Sequence, residues 1–448
     1  MISCREAKKR TNLPMSLPKK KEVPNLHGDI VSVMPPNITE NILSRLPIKE
    51  AVRTSILSKK WRYNWFTLPE LVFDCSLGHP LINQNDKLVK FVNGVVLLHR
   101  GPICKFVLSR LWIPNSSDID KWILCASRNG IQKLILDLLP QSKHYELPLC
   151  LYSCEQLTHM ELSFCTLRRP PMFATFKSLR SLLLYKIDFV GFTFENLIAR
   201  CPLLERLKID GFTGSTDLII YGPMLKDLVI VGFCTVMRKI CFKNTPLLAC
   251  VSLDLECFDL QRERDESSRL MNVVACLDGV EKLSVRGNFL KFLALDLVPK
   301  SLPNTFYHLK RLDLEICFND SPTVSVGLCL IRSSPNLEEL KIDALSRKNT
   351  HPAFWEVHHG PECSLNHLQN VIITSFDGLR TQLEFIEFLL TVTPALEKMI
   401  VNGFKEDDTE GEPRHGPKML EELMGLPRLS MEGKIEYFEN GELVEFRK

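Results

Sequence analysis

A short pattern recurs along this chain: an apolar residue, two variable ones, an apolar residue, one variable residue, and a third apolar residue. It runs Ile-Cys-Lys-Phe-Val-Leu from Ile103, and in its twelfth copy it closes with Leu-Glu-Lys-Met-Ile-Val from Leu396. Its central position is held by Phe106, Leu134, Met160, Leu182, Leu207, Leu228, Val251, Leu283, Leu312, Leu340, Val371 and Met399, at intervals of 21 to 32 residues. Alternation within the pattern marks a strand with one face in a core. One copy says little, because any half-buried strand looks this way. Twelve copies predict a repeat architecture, in which each strand and its return bury their apolar side only against neighbouring units. Helical returns are expected at 194–200, 270–277, 326–332 and 385–390. Prolines at 202, 246, 335 and 394 stop a helix and extend the approach to the next strand.

The pattern is that of leucine-rich repeats, so the expectation is an α/β fold: an arc-shaped solenoid with parallel strands on its concave side. In each strand the three apolar positions face the core and the residues between and after them face outward. The middle outward row then reads Glu161, Leu183, Lys208, Val229, Ser252, Ser284, Asp313, Lys341, Ile372 and Ile400. The following row reads Ser163, Tyr185, Asp210, Val231, Asp254, Arg286, Glu315, Asp343, Thr374 and Asn402. Leu183, Tyr185, Lys208, Asp210, Val229 and Val231 form the candidate surface for a target protein: an apolar strip with a tyrosine handle and a charged rim. The competing reading is that a helix or the C-terminal tail covers it.

Ahead of the repeats the periodicity is helical. Ile42, Leu43 and Leu46 share a face of a short helix that starts near Asn37 and is ended by Pro47. A second helix over 49–58 is expected to bury Ala51, Val52, Ile56 and Leu57, and a third, from Ser58, to present Trp61 and Trp65. A bundle of about 40 residues has little core of its own. It either packs against the rest of the chain or docks on another protein, and composition does not choose.

Resemblance does. “LPIKEAVRTSILSKKWRYNWFTLPELVFD”, preceded by “ILSRLP”, resembles the F-box of the large plant family whose members continue into leucine-rich repeats and an FBD region. “LQNVIITSFDGLRTQLEFIEFLLTVTPALEKMIV” and the closing “ELMGLPRLSMEGKIEYF” resemble that FBD region. The resemblance implies a substrate-recognition subunit of a Skp1–cullin–F-box ubiquitin ligase. Its F-box would bind a Skp1-like adaptor, and through it the cullin and RING subunits, while the repeats hold a protein substrate. Matched by motif, the adaptor-facing positions are Pro35, Pro36, Ile38, Ile42, Leu43, Leu46, Pro47, Val52, Leu57 and Trp61. The family commonly opens this motif with Leu-Pro, whereas here the start is Pro-Pro-Asn-Ile-Thr. The expected organisation is a basic arm over 1–28, an F-box over 29–74, repeats over 75–364, and an FBD region with a closing strand over 434–438 in 365–448. A scaffold with no ligase role is the alternative function.

Composition narrows the remainder. With 448 residues, 45% hydrophobic, and a net charge of +3, the chain has no global field that would draw nucleic acid or anionic membrane, and no sustained basic stripe is visible along the repeats. No apolar run spans a bilayer or follows the basic N-terminus as a signal peptide would, so a cytoplasmic or nuclear protein is expected. Lys8-Lys9-Arg10 and Lys19-Lys20-Lys21 are candidate nuclear-import signals, or simply a solvated tail. The 16 cysteines are dispersed and lack CxxC spacing, which suits buried thiols rather than disulfides or zinc. The charged run 261–269 reads as a surface loop, and His358-His359 as surface residues. No phosphate loop, zinc-protease motif or nucleophile elbow is present, so neither a cofactor nor catalysis by this chain is expected.

Overall fold

The computed structural model describes residues 34–448 apart from 79–83, 114, 142, 169–174, 191–193, 214–216, 237–238, 260–272, 275, 295–301, 303–304, 346–363, 404–415, 431, 440 and 445–448. The basic arm, the charged run 261–269 and the His358-His359 pair lie outside the described residues.

One parallel ladder organises the molecule. Its strands are β1 (Glu70–Phe73), β2 (Lys105–Leu111), β3 (Lys133–Leu138), β4 (His159–Ser163), β5 (Ser181–Val190), β6 (Arg206–Thr213) and β7 (Asp227–Val236). They continue as β8 (Cys250–Asp259), β9 (Lys282–Gly287), β10 (Arg311–Cys317), β11 (Glu339–Leu345), β12 (Asn370–Phe376), β13 (Lys398–Gly403) and β14 (Lys434–Glu439). Each pairs with the next in parallel, within a 17-stranded sheet. The twelve central apolar residues read from the sequence are mutual partners, from Phe106 beside Leu134 to Val371 beside Met399. Two further rungs extend the row, Leu71 at the start and Ile435 at the end. All fourteen are buried, and burying one such side chain is worth about 1.5–3 kcal/mol.

The sequence pattern did not reveal β1, which is too short for the full motif and lies inside the span read as F-box. The expected closing strand is β14; it pairs in parallel with β13 and shields the last repeat. Helices are α1 (Pro36–Ser44), α2 (Ile48–Arg53), α3 (Asn85–Leu98), α4 (Ser116–Arg128), α5 (Phe194–Ile198), α6 (Phe289–Leu293), α7 (Ser321–Arg332), α8 (Arg380–Val392) and α9 (Gly416–Gly425). Returns expected at 194–200, 326–332 and 385–390 correspond to α5, α7 and α8. Helices α3 and α4 went unread, although α4 buries Ile119, Trp122, Ile123 and Ala126 at helical spacing and is capped by the Asn115 side chain, which accepts from the Ser117 N–H at 3.1 Å.

A left-handed residue recurs four positions after the central apolar one. Arg110, Phe164, Lys186 and Ser375 have φ of 54°, 52°, 50° and 55°, and Gly211, Gly232 and Gly287 have 69°, 111° and 64° at the equivalent place. The residue bends the strand without ending it: pairing resumes beyond Lys186, Gly211 and Gly232, and the register shifts around Arg110 and Ser375. Gly287 has no alternative, because a Cβ would lie 2.7 Å from the Leu255 carbonyl oxygen.

Candidate functional site

At the N-terminus, α1 begins with Pro36 at its first turn, where the missing N–H costs no bond, and ends before Pro47. Helix α2 begins at Ile48 and stops at Arg53, after which the chain tightens into a 3-10 turn over Thr54–Ile56; the expected third helix is also 3-10, over Trp61–Thr67. Tightening changes which side chains face inward. Ile56 and Leu57, expected in the core, are 86% and 53% exposed. Leu43 and Trp61 are 0% and 3% exposed and form the core with Ile48, Ala51, Trp65 and Phe66. The Trp65 Nε1–H donates to Ser55 Oγ at 3.0 Å, and the Trp65 and Phe66 rings meet edge to face at 4.5 Å.

Of the motif-matched adaptor positions, Pro35, Pro36, Ile38, Pro47 and Leu57 are exposed, Ile42, Leu46 and Val52 are half-buried, and Leu43 and Trp61 are interior. Those last two can shape a docking face but not touch a partner. Ile56 and Tyr63 are exposed apolar side chains absent from the motif match. Ile38, Ile56, Leu57 and Tyr63 are thus four exposed apolar groups on one small unit, with the Tyr63 ring edge to face on Phe66 at 5.3 Å.

This unit is not tethered by a linker. The Arg100 N–H donates to the Phe66 carbonyl at 2.8 Å, and its guanidinium sits over the Phe66 ring at 5.6 Å. The Lys49 ammonium donates to the Leu77 carbonyl at 2.5 Å. Leu68 leads within two residues into β1, and one hydrophobic core runs from Leu43 to Tyr437.

The second candidate surface is the outer face of the sheet. Leu183, Lys208 and Val229 stand side by side on β5, β6 and β7, and Tyr185, Asp210 and Val231 form the next row. The structure thus brings all six predicted target residues into one two-row patch. Tyr185 and Lys208 are exposed and the others half-buried. Tyr185 is braced by the Phe164 ring at 5.4 Å and the Lys186 ammonium at 5.9 Å.

Register exposes a feature invisible along the sequence: charge is segregated across the strands. In the leading row, one position before the central apolar residue, stand Lys105, Lys133, Arg206, Lys282, Arg311, Lys398 and Lys434, against Glu70, Asp227 and Glu339. The trailing row, three positions after it, carries Asp137, Asp210, Asp254, Glu315 and Asp343 against Arg286 alone. The leading row is interrupted, since Arg206 stands between Ser181 and Asp227 and Arg311 beside Glu339, so no sustained basic stripe runs along the repeats. Burial is the first cause of two ionisation shifts in these rows, and neighbouring charges modify each. Burial, then Lys133 and Arg206, holds the His159 imidazole below its ordinary value. Burial pushes the Glu315 carboxyl up, and Asp343 and Asp254 add to the push against the Gly287 N–H and Arg286.

Between the charged rows the small Ser252 and Ser284 leave a notch of about 250 Å³, walled by Val229, Lys282, Arg311 and Lys341. Among the described residues no group of His, Cys, Asp and Glu is arranged to hold a metal ion, and no helix is long and apolar enough to cross a membrane.

Family models match in three places: the F-box domain over 31–70, the LRR repeats of the FBD-associated F-box protein At5g56370 over 119–342, and FBD over 356–401. The F-box/FBD/LRR-repeat protein At1g13570 of Arabidopsis thaliana is 39% identical over 428 residues, covering 92% of this chain and 99% of that one. The F-box/FBD/LRR-repeat proteins At3g26920 and At5g56420 of the same plant are 28% and 26% identical, over 83% and 90% of this chain and 88% and 97% of theirs.

Proposed function

The chain belongs to the family of F-box/FBD/LRR-repeat proteins, and from that premise we propose that it is the substrate-recognition subunit of a Skp1–cullin–F-box ubiquitin ligase. The observation that carries the proposal is the exposure of the apolar Ile38, Ile56, Leu57 and Tyr63 on an F-box whose core is continuous with the repeat sheet. Such a cluster suits a Skp1-like adaptor, through which cullin and RING subunits would follow. The outer sheet face, including the patch at Leu183, Tyr185, Lys208, Asp210, Val229 and Val231, would hold the target.

In this reading the chain does no bond-making. Ubiquitin transfer belongs to other subunits, and the contribution here is proximity, which alone is worth a large effective concentration of one reactant beside another. A stiff connection favours that role, because it limits the positions a target lysine can occupy.

The test is co-purification of the full chain with a Skp1-type adaptor, then with cullin and RING subunits. Assembly of all four supports the ligase reading. Adaptor binding without cullin recruitment would leave a scaffold, and no adaptor binding would refute both the docking cluster and the function.

A further inference from the structure

A cleft of about 650 Å³ opens beside the first repeats, between the start of α4 and the segment that follows β3. We propose that it binds a small zwitterion with an apolar side chain, a free α-amino acid or a dipeptide, whose carboxylate meets Lys143 and Ser116 and whose ammonium meets Asp120. The inference is independent of the ligase reading, since none of the residues lining the cleft belongs to the F-box or to the candidate target patch.

Size and walls suit a small molecule. The volume falls within the usual range of about 300–1,000 Å³ for such sites. Ile113, Ile119 and Leu147 give it buried apolar walls, which Pro148 and the exposed Leu149 extend. An apolar side chain leaves water by lying against them. The cleft is tied across at two points: Gln141 Nε2 donates to the Ile113 carbonyl at 3.0 Å, and the Tyr145 hydroxyl donates to Asp120 Oδ1 at 2.5 Å. Its shape is therefore set before a ligand arrives.

Charge decides the class of occupant. Asp120 and Glu146 line the cleft against Lys143 and Arg168, so it is neutral as a whole. Glu146 and Arg168 match each other at 2.7 Å, and His144 Nδ1 lies 2.7 Å from Asp188 Oδ2. Among the described residues Lys143 has neither an ion pair nor a hydrogen bond. Asp120 has only the Tyr145 phenol as partner. Burial, then the bond to Asp120, pushes that phenol up, so it stays an uncharged donor. One unmatched charge of each sign remains. An anion alone is repelled by Asp120 and a cation alone by Lys143, whereas a zwitterion satisfies both.

Helix α4 sets the spacing. Ser116 and Asp120 lie four residues apart on one helical face, about 6 Å along the axis. Ser116 opens the helix, so its N–H has no intrahelical acceptor, and the Asn115 cap takes the Ser117 N–H instead, at 3.1 Å. The helix dipole favours a carboxylate at that end. An ammonium is favoured one turn further on, at Asp120. Opposite charges so close together belong to an amino acid or a dipeptide, and not to the two ends of a long chain.

The experiment titrates the full chain by calorimetry with leucine, leucyl-leucine, isocaproate and isoamylamine. The last two keep the leucine side chain but lack its ammonium or its carboxylate respectively. At least one zwitterion should bind, about tenfold or more tighter than either singly charged analogue. Binding of leucine alone identifies the occupant as a free amino acid, and of leucyl-leucine alone as a dipeptide. Lys143→Gln should erase the advantage of the bound zwitterion over isoamylamine. Asp120→Asn, which keeps an acceptor for Tyr145, should erase its advantage over isocaproate. Both side chains are exposed, so both variants should melt with the wild type.

No binding of either zwitterion at millimolar concentration overturns the proposal. So does isocaproate or isoamylamine binding the wild type as tightly as the zwitterion, and so does zwitterion affinity unchanged in either variant.

Discussion

Replacing Ile56 with alanine separates a docking residue from a core residue on the same small unit. Ile56 is 86% exposed in the free chain, so its truncation removes almost no internal packing, and the expected change in folding stability is within about 0.5 kcal/mol. In the adaptor complex the same side chain would be buried. Ile→Ala deletes three carbons, each worth about 0.8 kcal/mol when fully desolvated, so the ceiling is about 2.4 kcal/mol. Allowing for incomplete burial, about 2 kcal/mol corresponds to an affinity about 30-fold weaker. Leu43→Ala is the counterpart. Leu43 is fully enclosed, and its truncation should cost about 2–5 kcal/mol of stability by leaving a cavity. The assay pairs thermal melting with titration of the full chain by purified adaptor. Ile56→Ala should melt with the wild type and bind weakly, whereas Leu43→Ala should melt early. An Ile56→Ala protein that binds the adaptor with unchanged affinity would refute the reasoning, as would one that unfolds like Leu43→Ala.

Other consequences are independent of any partner. Gly287→Ala places a Cβ 2.7 Å from a carbonyl oxygen at φ 64° and should lower stability by at least about 1–3 kcal/mol, read by urea denaturation. At the equivalent left-handed position Arg110→Gly should leave stability unchanged or raise it by up to about 1 kcal/mol, since strain is relieved at an exposed residue. His159, held below its ordinary 6.5, binds fewer protons folded than unfolded. Stability should therefore fall as pH drops from 6.5 toward the lower folded value and stay level above 6.5. Lys133→Gln should raise the His159 midpoint in an NMR titration; no movement would contradict the positive leading row. Burial pushes the Cys201 thiol up to about 12 and those of Cys154 and Cys329 to about 11. Native-state alkylation followed by mass spectrometry should modify exposed Cys75 and spare these three until unfolding.

The twelve-rung ladder was legible because each rung satisfies a period of two locally and tolerates any length of return. Phe106 and Met399 declare their orientation with six residues of context. The first rung, Leu71, lies in a four-residue strand with no room for the pattern. Ile56 was misplaced for a different reason. An α-helix turns about 100° per residue and a 3-10 helix about 120°, so the change of winding after Arg53 rotates Ile56 and Leu57 out of the phase their spacing suggests. Nothing in Thr-Ser-Ile announces that change. The candidate target residues were legible as an outward set because strand parity dictates it. Their charged surroundings were not: Asp210 and Asp254 lie two strands apart in one row and Glu315 and Asp343 on adjacent strands of it, though long returns separate them in sequence. Gln382 illustrates the limit of patterning as well. A polar residue at an interior helix position reads as a mismatch, yet its side-chain oxygen accepts from the Asp377 and Leu379 N–H groups at 3.0 and 3.2 Å and its amide donates to the Ala344 carbonyl at 3.1 Å.

The shared core between F-box and sheet makes the ladder a ruler whose zero mark is the proposed adaptor-docking face. Each rung adds about 4.8 Å along the sheet, whatever the length of the return that brings the chain back to it. Residues inserted into a return would change the protein's mass and outline but leave every graduation in place. Gain or loss of one rung would displace everything beyond it by a fixed step relative to Ile56 and Leu57. Relatives that differ only in their returns should therefore present bound proteins at one common distance. Those that differ in rung number should divide into discrete classes of reach.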